Sequence, residues 1–398
     1  MKRKLIIAII AEFCALAGIF YLVLRAPAPV VSAWEETPVT QPEITQAPTQ
    51  PPAPPATVPP TTQPQNTVEQ LLEGLTLEEK VGQIFLARCP ENGVEEAVRQ
   101  YHLGGLILFD RDFDGENPSS MSRKLQSYQS SVTIPLLIAV DEEGGTVTRV
   151  SSHAAFRSSR FGSPRALYAQ GGLELVLSTE REKAQLLHSL GINVNMAPVC
   201  DISTSAGAFM YQRSLGQSSE ETGKFVAGAI RTMQEQGVAA VMKHFPGYGN
   251  NEDTHVGIAR DARSLAELES VDLQPFFDGI AAGGNAILVS HTIAEAIDAA
   301  VPASLSQPMH HYLRLAMGFD GVIVTDDLSM DAIAAQYGTG EAAVLAVLAG
   351  NDLLCSTEYA AQYQAVLDAC SSGRIPEETL NAAVRHVLTW KENMGLIS

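Results

Sequence analysis

The chain predicts an α/β fold, a single TIM-like (β/α)8 barrel domain over residues 67–398, behind an N-terminal membrane-spanning segment and a Pro/Thr/Gln-rich linker. Three observations carry this. From Thr67 onward, eight short apolar runs alternate with amphipathic segments, the pattern of parallel strands buried on both faces and joined by helices. Charged and imidazole side chains collect where those runs end, the face on which a barrel of this kind carries its site. A single apolar stretch, at the N-terminus, is long enough to cross a bilayer.

That stretch comes first. Met1-Lys-Arg-Lys4 is basic, Leu5 to Leu24 is apolar but for Glu12, and Arg25 ends it. The preceding charges predict a cytoplasmic N-terminus. The run exceeds an ordinary signal-peptide core, which favours an uncleaved anchor over residues 1–25, although Val31-Ser-Ala33 offers a cleavage site. The expected location is the cell membrane, with the catalytic domain outside the cytoplasm, or secretion after cleavage. Residues 26–66 contain no Gly, Lys or Arg, and runs such as Pro51-Pro-Ala-Pro-Pro55 favour an extended polyproline spacer.

Strand candidates then follow in order: Gln83–Ala87, Leu106–Phe109, Leu136–Val140, Ile192–Met196, Ala239–Lys243, Ala286–Ser290, Val322–Thr325 and Asp352–Cys355. The first reads equally as a continuation of a helix with Leu77–Val81. Ser264 and Glu267 form a capping box that opens a helix over Leu265–Ile280. Glu341–Leu348 is a helix stopped at Gly350. A doubly wound open sheet is the alternative, but its Gly-rich dinucleotide turn is missing.

Composition narrows the function. Lys and Arg number 26 against 45 Asp and Glu, a net charge of -19. The dense basic cluster is Lys2-Arg3-Lys4, so a nucleic-acid surface is not expected. Cys14, Cys89, Cys200, Cys355 and Cys370 show no CxxC spacing, which argues against a structural zinc site or a disulfide scaffold. No metal and no cofactor are expected, and the chain is expected to be a monomer.

The polar residues at the run ends are Asp141 in Asp141-Glu-Glu-Gly-Gly145, then Lys243-His244 leading into Phe245-Pro-Gly-Tyr-Gly249 and Asp253-Thr-His255. Ser290-His291 and Asp326-Asp327 complete the set. A metal hydrolase drawing on His244, Asp253, His255, His291 and Asp326 lacks the HxH and HExxH patterns. A serine hydrolase lacks GxSxG. Glycoside hydrolysis needs a carboxylate beneath the anomeric carbon and a proton donor on the leaving oxygen. Asp326 supplies the first; Asp253 and His255 supply the second as a coupled pair.

Lys243-His-Phe-Pro-Gly-Tyr-Gly249 with Asp253-Thr-His255 closely resembles the KHFPGHG…D(S/T)H signature of bacterial β-N-acetylhexosaminidases of glycoside hydrolase family 3. Ile323-Val-Thr-Asp-Asp-Leu-Ser-Met330 resembles that family's nucleophile segment. Leu77-Glu-Glu-Lys-Val-Gly-Gln83, Asp141-Glu-Glu-Gly-Gly145, Ala197-Pro-Val-Cys-Asp201 and Arg213-Ser-Leu-Gly216 match its other landmarks in the same order. The resemblance spans roughly Thr67 to Ser398. It implies a (β/α)8-like barrel, retaining hydrolysis of terminal β-linked N-acetylglucosamine from carbohydrate substrates such as cell-wall fragments, and no cofactor.

Position by position, the resemblance implies Asp326 as nucleophile, His255 as acid/base and Asp253 as its partner. It implies Asp141, Arg149, Arg213, Lys243 and His244 as sugar-binding residues. The chemistry agrees: an imidazole titrating near pH ~6.5 both gives and takes a proton at neutral pH. Tyr248 departs from the pattern, standing where the signature has His, with consequences for loop packing or the leaving-group side. Family 3 enzymes for other β-sugars, phosphorolysis in place of hydrolysis, and a non-catalytic sugar-binding wall protein are the competing functions.

Overall fold

The computed structural model describes residues 67–249 and 258–398. The expected membrane segment, the linker, Asp253 and His255 lie outside the described residues. No described helix is long and apolar enough to cross a membrane.

The described strands are β1 (Phe85–Arg88), β2 (Gly105–Leu108), β3 (Leu137–Val140), β4 (Val194–Asn195), β5 (Ala239–Ala240), β6 (Met242–Phe245), β7 (Arg260–Asp261), β8 (Ala286–Val289), β9 (Ile293–Ala294), β10 (Val322–Thr325) and β11 (Leu354–Ser356). Parallel pairing runs β11-β1-β2-β3-β4-β5 and, separately, β10-β8-β6. Bridges from Val199 to Lys243 and from Val324 to Leu353 join the two sheets. Since β5 and β6 are one strand interrupted at Val241, the pairing closes into a cycle. The interruption has a local cause. The Val241 N–H is shared between Asn195 O (3.1 Å) and Ala197 O (2.9 Å), and Lys243 N–H donates to Pro198 O (3.1 Å). Pro198 has no N–H to return, so the ladder shifts there.

Alternation along each strand sorts the core into two shells. Leu86, Ile107, Leu137, Ala139, Val194, Ala286, Leu288, Val322 and Val324 pack together inside the cycle. Phe85, Ala87, Leu106, Ile138, Val140, Ile287, Val289 and Ile323 face the surrounding helices. Helix Glu377–Asn393 sends Val387 and Trp390 into the inner cluster. Its fully buried Lys391 donates from Nζ to Gln83 Oε1 (2.8 Å), just ahead of β1. This helix closes the end of the cycle opposite the polar strand ends.

Two expectations are corrected. Gln83 belongs to helix Leu77–Gln83, not to the first strand, which begins at Phe85. Thr76 and Glu79 form a capping box on that helix, and Gln83 is buried, donating to His102 O (2.9 Å). The single helix expected over Leu265–Ile280 is two, Leu265–Ser270 and Gln274–Ala281. The Ser264–Glu267 capping box is present. The break follows because Asp272 is drawn inward to Arg263 Nη1 (2.5 Å), and Pro275 restarts the helix where its missing N–H costs nothing. The helix ending at Gly350 runs Thr339–Ala349, with Gly350 at φ 110 supplying the left-handed stop.

Candidate active site

A cavity of about 650 Å³ opens at the C-terminal ends of the strands, lined by residues that include Asp141, Arg149, Arg213, Lys243, His244 and Asp326. All six site residues expected from sequence within the described part are therefore brought together. Asp253 and His255 lie outside it.

The β3 end builds one wall. Beyond Val140, Glu142 turns its carboxylate back into the fold. There it accepts N–H bonds from Arg149 (2.8 Å), Val150 (2.7 Å) and Ser151 (3.3 Å), with Ser151 Oγ at 2.5 Å. The return depends on Gly144 at φ 100, where a Cβ would lie 2.3 Å from Gly162 O. A tight loop thus delivers Arg149 to the cavity.

Glu143 points the other way. Its carboxylate receives Arg213 Nε (2.9 Å) and Nη2 (2.6 Å) in a bidentate fork, and Lys243 Nζ lies 2.7 Å from Oε1. Lys243 Nζ also donates to Asp141 Oδ1 (2.5 Å). Burial alone would raise Glu143, but Arg213 and Lys243 hold it well below the ordinary carboxylate value. Lys243 shows the converse: burial pulls it down, while Asp141 and Glu143 more than offset this and keep it raised. Lys243 and Arg213 are thus fixed cations with planned partners, not solvated surface charges.

His244 is oriented from behind. Asp201 Oδ2 lies 2.7 Å from Nδ1 and also accepts the His244 N–H, while Asp201 Oδ1 accepts the Tyr248 N–H (2.7 Å). Arg213 Nη2 stands 3.0 Å from His244 Nε2. A guanidinium only donates, so Nε2 accepts and Nδ1 carries the proton given to Asp201. Tyr248, 1% exposed, packs edge-on against the His244 ring at 5.4 Å and beside Phe209 at 5.8 Å. The departure from the usual His therefore acts on loop packing, as a buried ring behind His244 that also reaches the cavity wall.

Asp326 and Asp327 separate into different tasks. Asp327 Oδ1 accepts Ser329 N–H (2.9 Å), Ser329 Oγ (2.6 Å) and Thr357 N–H (3.2 Å), and Oδ2 accepts Thr357 Oγ1 (2.5 Å). It clamps the loop after β10 to the loop after β11. Asp326 Oδ1 accepts the Asp327 N–H (2.9 Å), and no described residue hydrogen-bonds its Oδ2. Burial pushes Asp326 up, but His291, the Asp327 N–H and Lys243 outweigh it and leave the carboxyl below its ordinary value. His291 stands behind, its Nε2 donating to Asp327 O (3.0 Å) and its Nδ1 2.7 Å from Ser304 Oγ. An ionised carboxylate with one free oxygen on a cavity is equipped for nucleophilic attack.

Among the described residues, no group of three His, Cys, Asp or Glu side chains is arranged to hold a metal ion. Cys89, Cys200 and Cys355 are buried and free, and burial drives the Cys200 and Cys355 thiols well up. Sequence reasoning passed over Glu143, Asp201 and Arg88 as site residues. The first two sit inside quoted motifs, where a second strand-end carboxylate two places after Asp141 was a readable signal. Arg88, at the end of β1, lies in no motif.

Residues 76–390 match the family model described as the glycosyl hydrolase family 3 N terminal domain. The chain belongs to glycosyl hydrolase family 3. It is 34% identical over 272 residues to a protein named beta-hexosaminidase from Xanthomonas oryzae pv. oryzae, covering 65% of this chain and 78% of that one. The solved family 3 beta-N-acetylglucosaminidase from Paenibacillus sp. str. FPU-7 superposes with a TM-score of 0.76 at 35% identity, covering 81% of this chain. The matched part is 63% of that larger protein. The beta-N-acetylhexosaminidase from Beutenbergia cavernae matches at 26% identity and a TM-score of 0.72, over 80% of this chain and 99% of its own.

Proposed function

We propose that the chain is a retaining exo-β-N-acetylglucosaminidase, a β-N-acetylhexosaminidase, that releases terminal β-linked N-acetylglucosamine from peptidoglycan fragments outside the cytoplasm. The observation that carries this reading is the asymmetry of the aspartate pair: Asp327 is spent on four hydrogen bonds, while Asp326 lines the cavity with its Oδ2 bonded by no described residue. Asp326 attacks the anomeric carbon as the glycosidic C–O bond breaks. His255, with Asp253 as its charge partner, protonates the departing oxygen. His255 then takes a proton from water, whose oxygen displaces Asp326 and restores it, so two inversions leave the configuration retained. Asp141, Lys243, His244, Arg213 and Arg149 hold the sugar hydroxyl and acetamido groups through charged hydrogen bonds. The names of the relatives support N-acetylglucosamine as the sugar, and the basic, apolar N-terminus supports a membrane location.

Hydrolysis of chromogenic β-N-acetylglucosaminide, β-glucoside and β-xyloside tests the reading. Turnover of the first at least 10²-fold above the others, with free sugar formed in phosphate and non-phosphate buffer alike, is expected. Preference for the glucoside or xyloside, or a glycosyl phosphate product, refutes it.

A further inference from the structure

Two cations line the cavity without a directly paired anion among the described residues. Lys243 and Arg213 are matched by Asp141 and Glu143. Arg88, at the end of β1, and Arg149, at the end of the loop held by Glu142, form no ion pair with a described residue. The Nε of each is buried without a hydrogen-bond partner among the described residues. Both line the cavity. Both also lie against one ring: the guanidinium carbons of Arg88 and Arg149 stand 4.4 and 5.6 Å from the Phe109 centroid. The separation of the two carbons therefore cannot exceed those distances added together.

Contact with the ring face recovers part of the lost hydration but leaves the buried Nε–H of each without a partner among the described residues. A buried charged donor is normally satisfied. Arg149 has one weak contact besides, to Thr148 O at 3.4 Å. Of the carboxylates around them, Asp141 and Glu143 are paired with Lys243, Asp112 feels the charge of Arg88 but spends Oδ2 on the Phe109 N–H, and Asp326 forms no ion pair with either arginine. Planar guanidinium forks suit the paired oxygens of carboxylate and phosphate. We propose that Arg88 and Arg149 flank Phe109 as an oxyanion-binding subsite of the catalytic cavity, which takes a carboxylate borne by the glycoside or free phosphate. The inference rests on the glycosidase reading only for the cavity being catalytic; the anion site itself is read without turnover.

The test uses the full chain and three substitutions, Arg88→Met, Arg88→Gln and Arg88→Lys, each checked for an unchanged unfolding temperature. The first arm compares kcat/KM for a carboxyphenyl β-N-acetylglucosaminide with its neutral carboxamide. The wild type is expected to favour the carboxylate about tenfold, Arg88→Met and Arg88→Gln to bring the ratio near one, and Arg88→Lys to keep part of it. The second arm titrates inorganic phosphate by calorimetry, with affinity expected to fall about tenfold in Arg88→Met. Loss of the kinetic ratio alone assigns the site to the glycoside's own carboxylate, and loss of phosphate binding alone assigns it to the free ion. Phosphate binding that depends on Arg88 in a chain hydrolysing neither glycoside keeps this inference while refuting the glycosidase reading. A carboxylate ratio and a phosphate affinity both unchanged by Arg88→Met and Arg88→Gln overturn it.

Discussion

Replacing Glu143 by alanine removes a carboxylate that faces Arg213 Nε and Nη2 and Lys243 Nζ, all within 2.9 Å. Lys243 keeps Asp141, but Arg213 loses both of its carboxylate bonds. Breaking a buried ion pair from one side costs about 3–5 kcal/mol, because the remaining charge stays desolvated. At about 2.1 cal/mol/K per residue, a folded body of ~330 residues loses roughly 0.7 kcal/mol for each degree, so the expected fall in Tm is about 4–7 °C. Glu143 is held below its ordinary value of 4.5 in the fold. Its stabilisation is therefore complete above that pH and is lost as pH falls below it. The gap between wild type and Glu143→Ala should be constant from pH 6 to 8 and narrow under pH 4.5. Arg213 and Lys243 also lose their fixed positions, so kcat/KM on an aryl β-N-acetylglucosaminide should fall on the order of 10²-fold. Thermal unfolding and steady-state kinetics on the same preparation measure both. An unchanged Tm, or kcat/KM within twofold of wild type, refutes the view that Glu143 organises the site.

Three further outcomes follow from other parts of the molecule. Asp327→Ala removes four hydrogen bonds to Ser329 and Thr357 and should destabilise by about 2–4 kcal/mol, with residual activity that Asp326→Ala lacks; equal inactivity at equal stability contradicts this. Lys391 is lowered by burial to about 7. Between pH 7 and 10 the unfolded chain binds a proton that the folded chain does not, so stability rises by up to about 1.4 kcal/mol per pH unit. Lys391→Met should abolish that slope in denaturant titrations, and an unchanged slope refutes it. Deletion of residues 1–66 should leave kcat/KM within about twofold, since the deleted part contains no group assigned to the chemistry; a folded but inactive product contradicts the modular reading.

Much of this was legible in the sequence because strand and helix have distinct periods. Val322–Thr325 appears with the bounds expected, and Ala286–Ser290 and Leu136–Val140 differ by one residue. Capping residues Ser264 and Glu267 sit as read. What failed was decided by tertiary contacts that pattern does not encode. The helix over 265–280 breaks because Asp272 finds Arg263, and Gln83 is taken into a helix whose end is fixed by His102 and Lys391. In the site, Lys243 and Arg213 are expected from sequence as sugar-binding residues; each is shared with a carboxylate, and the one that organises both, Glu143, is not singled out beside Asp141 by the sequence. Asp326 is set apart from Asp327 in the sequence by the family resemblance alone; the hydrogen bonds from Ser329 and Thr357 to Asp327 supply the physical difference.

The central claim is that Asp326, not Asp327, carries the sugar. A β-N-acetylglucosaminide with a good leaving group and slow second step should accumulate a covalent glycosyl-enzyme in the wild type. Peptide mass spectrometry should then place the sugar on Asp326, with none after Asp326→Ala and a product of retained configuration. A sugar mapped to Asp327, or no adduct together with a product of inverted configuration, contradicts the account.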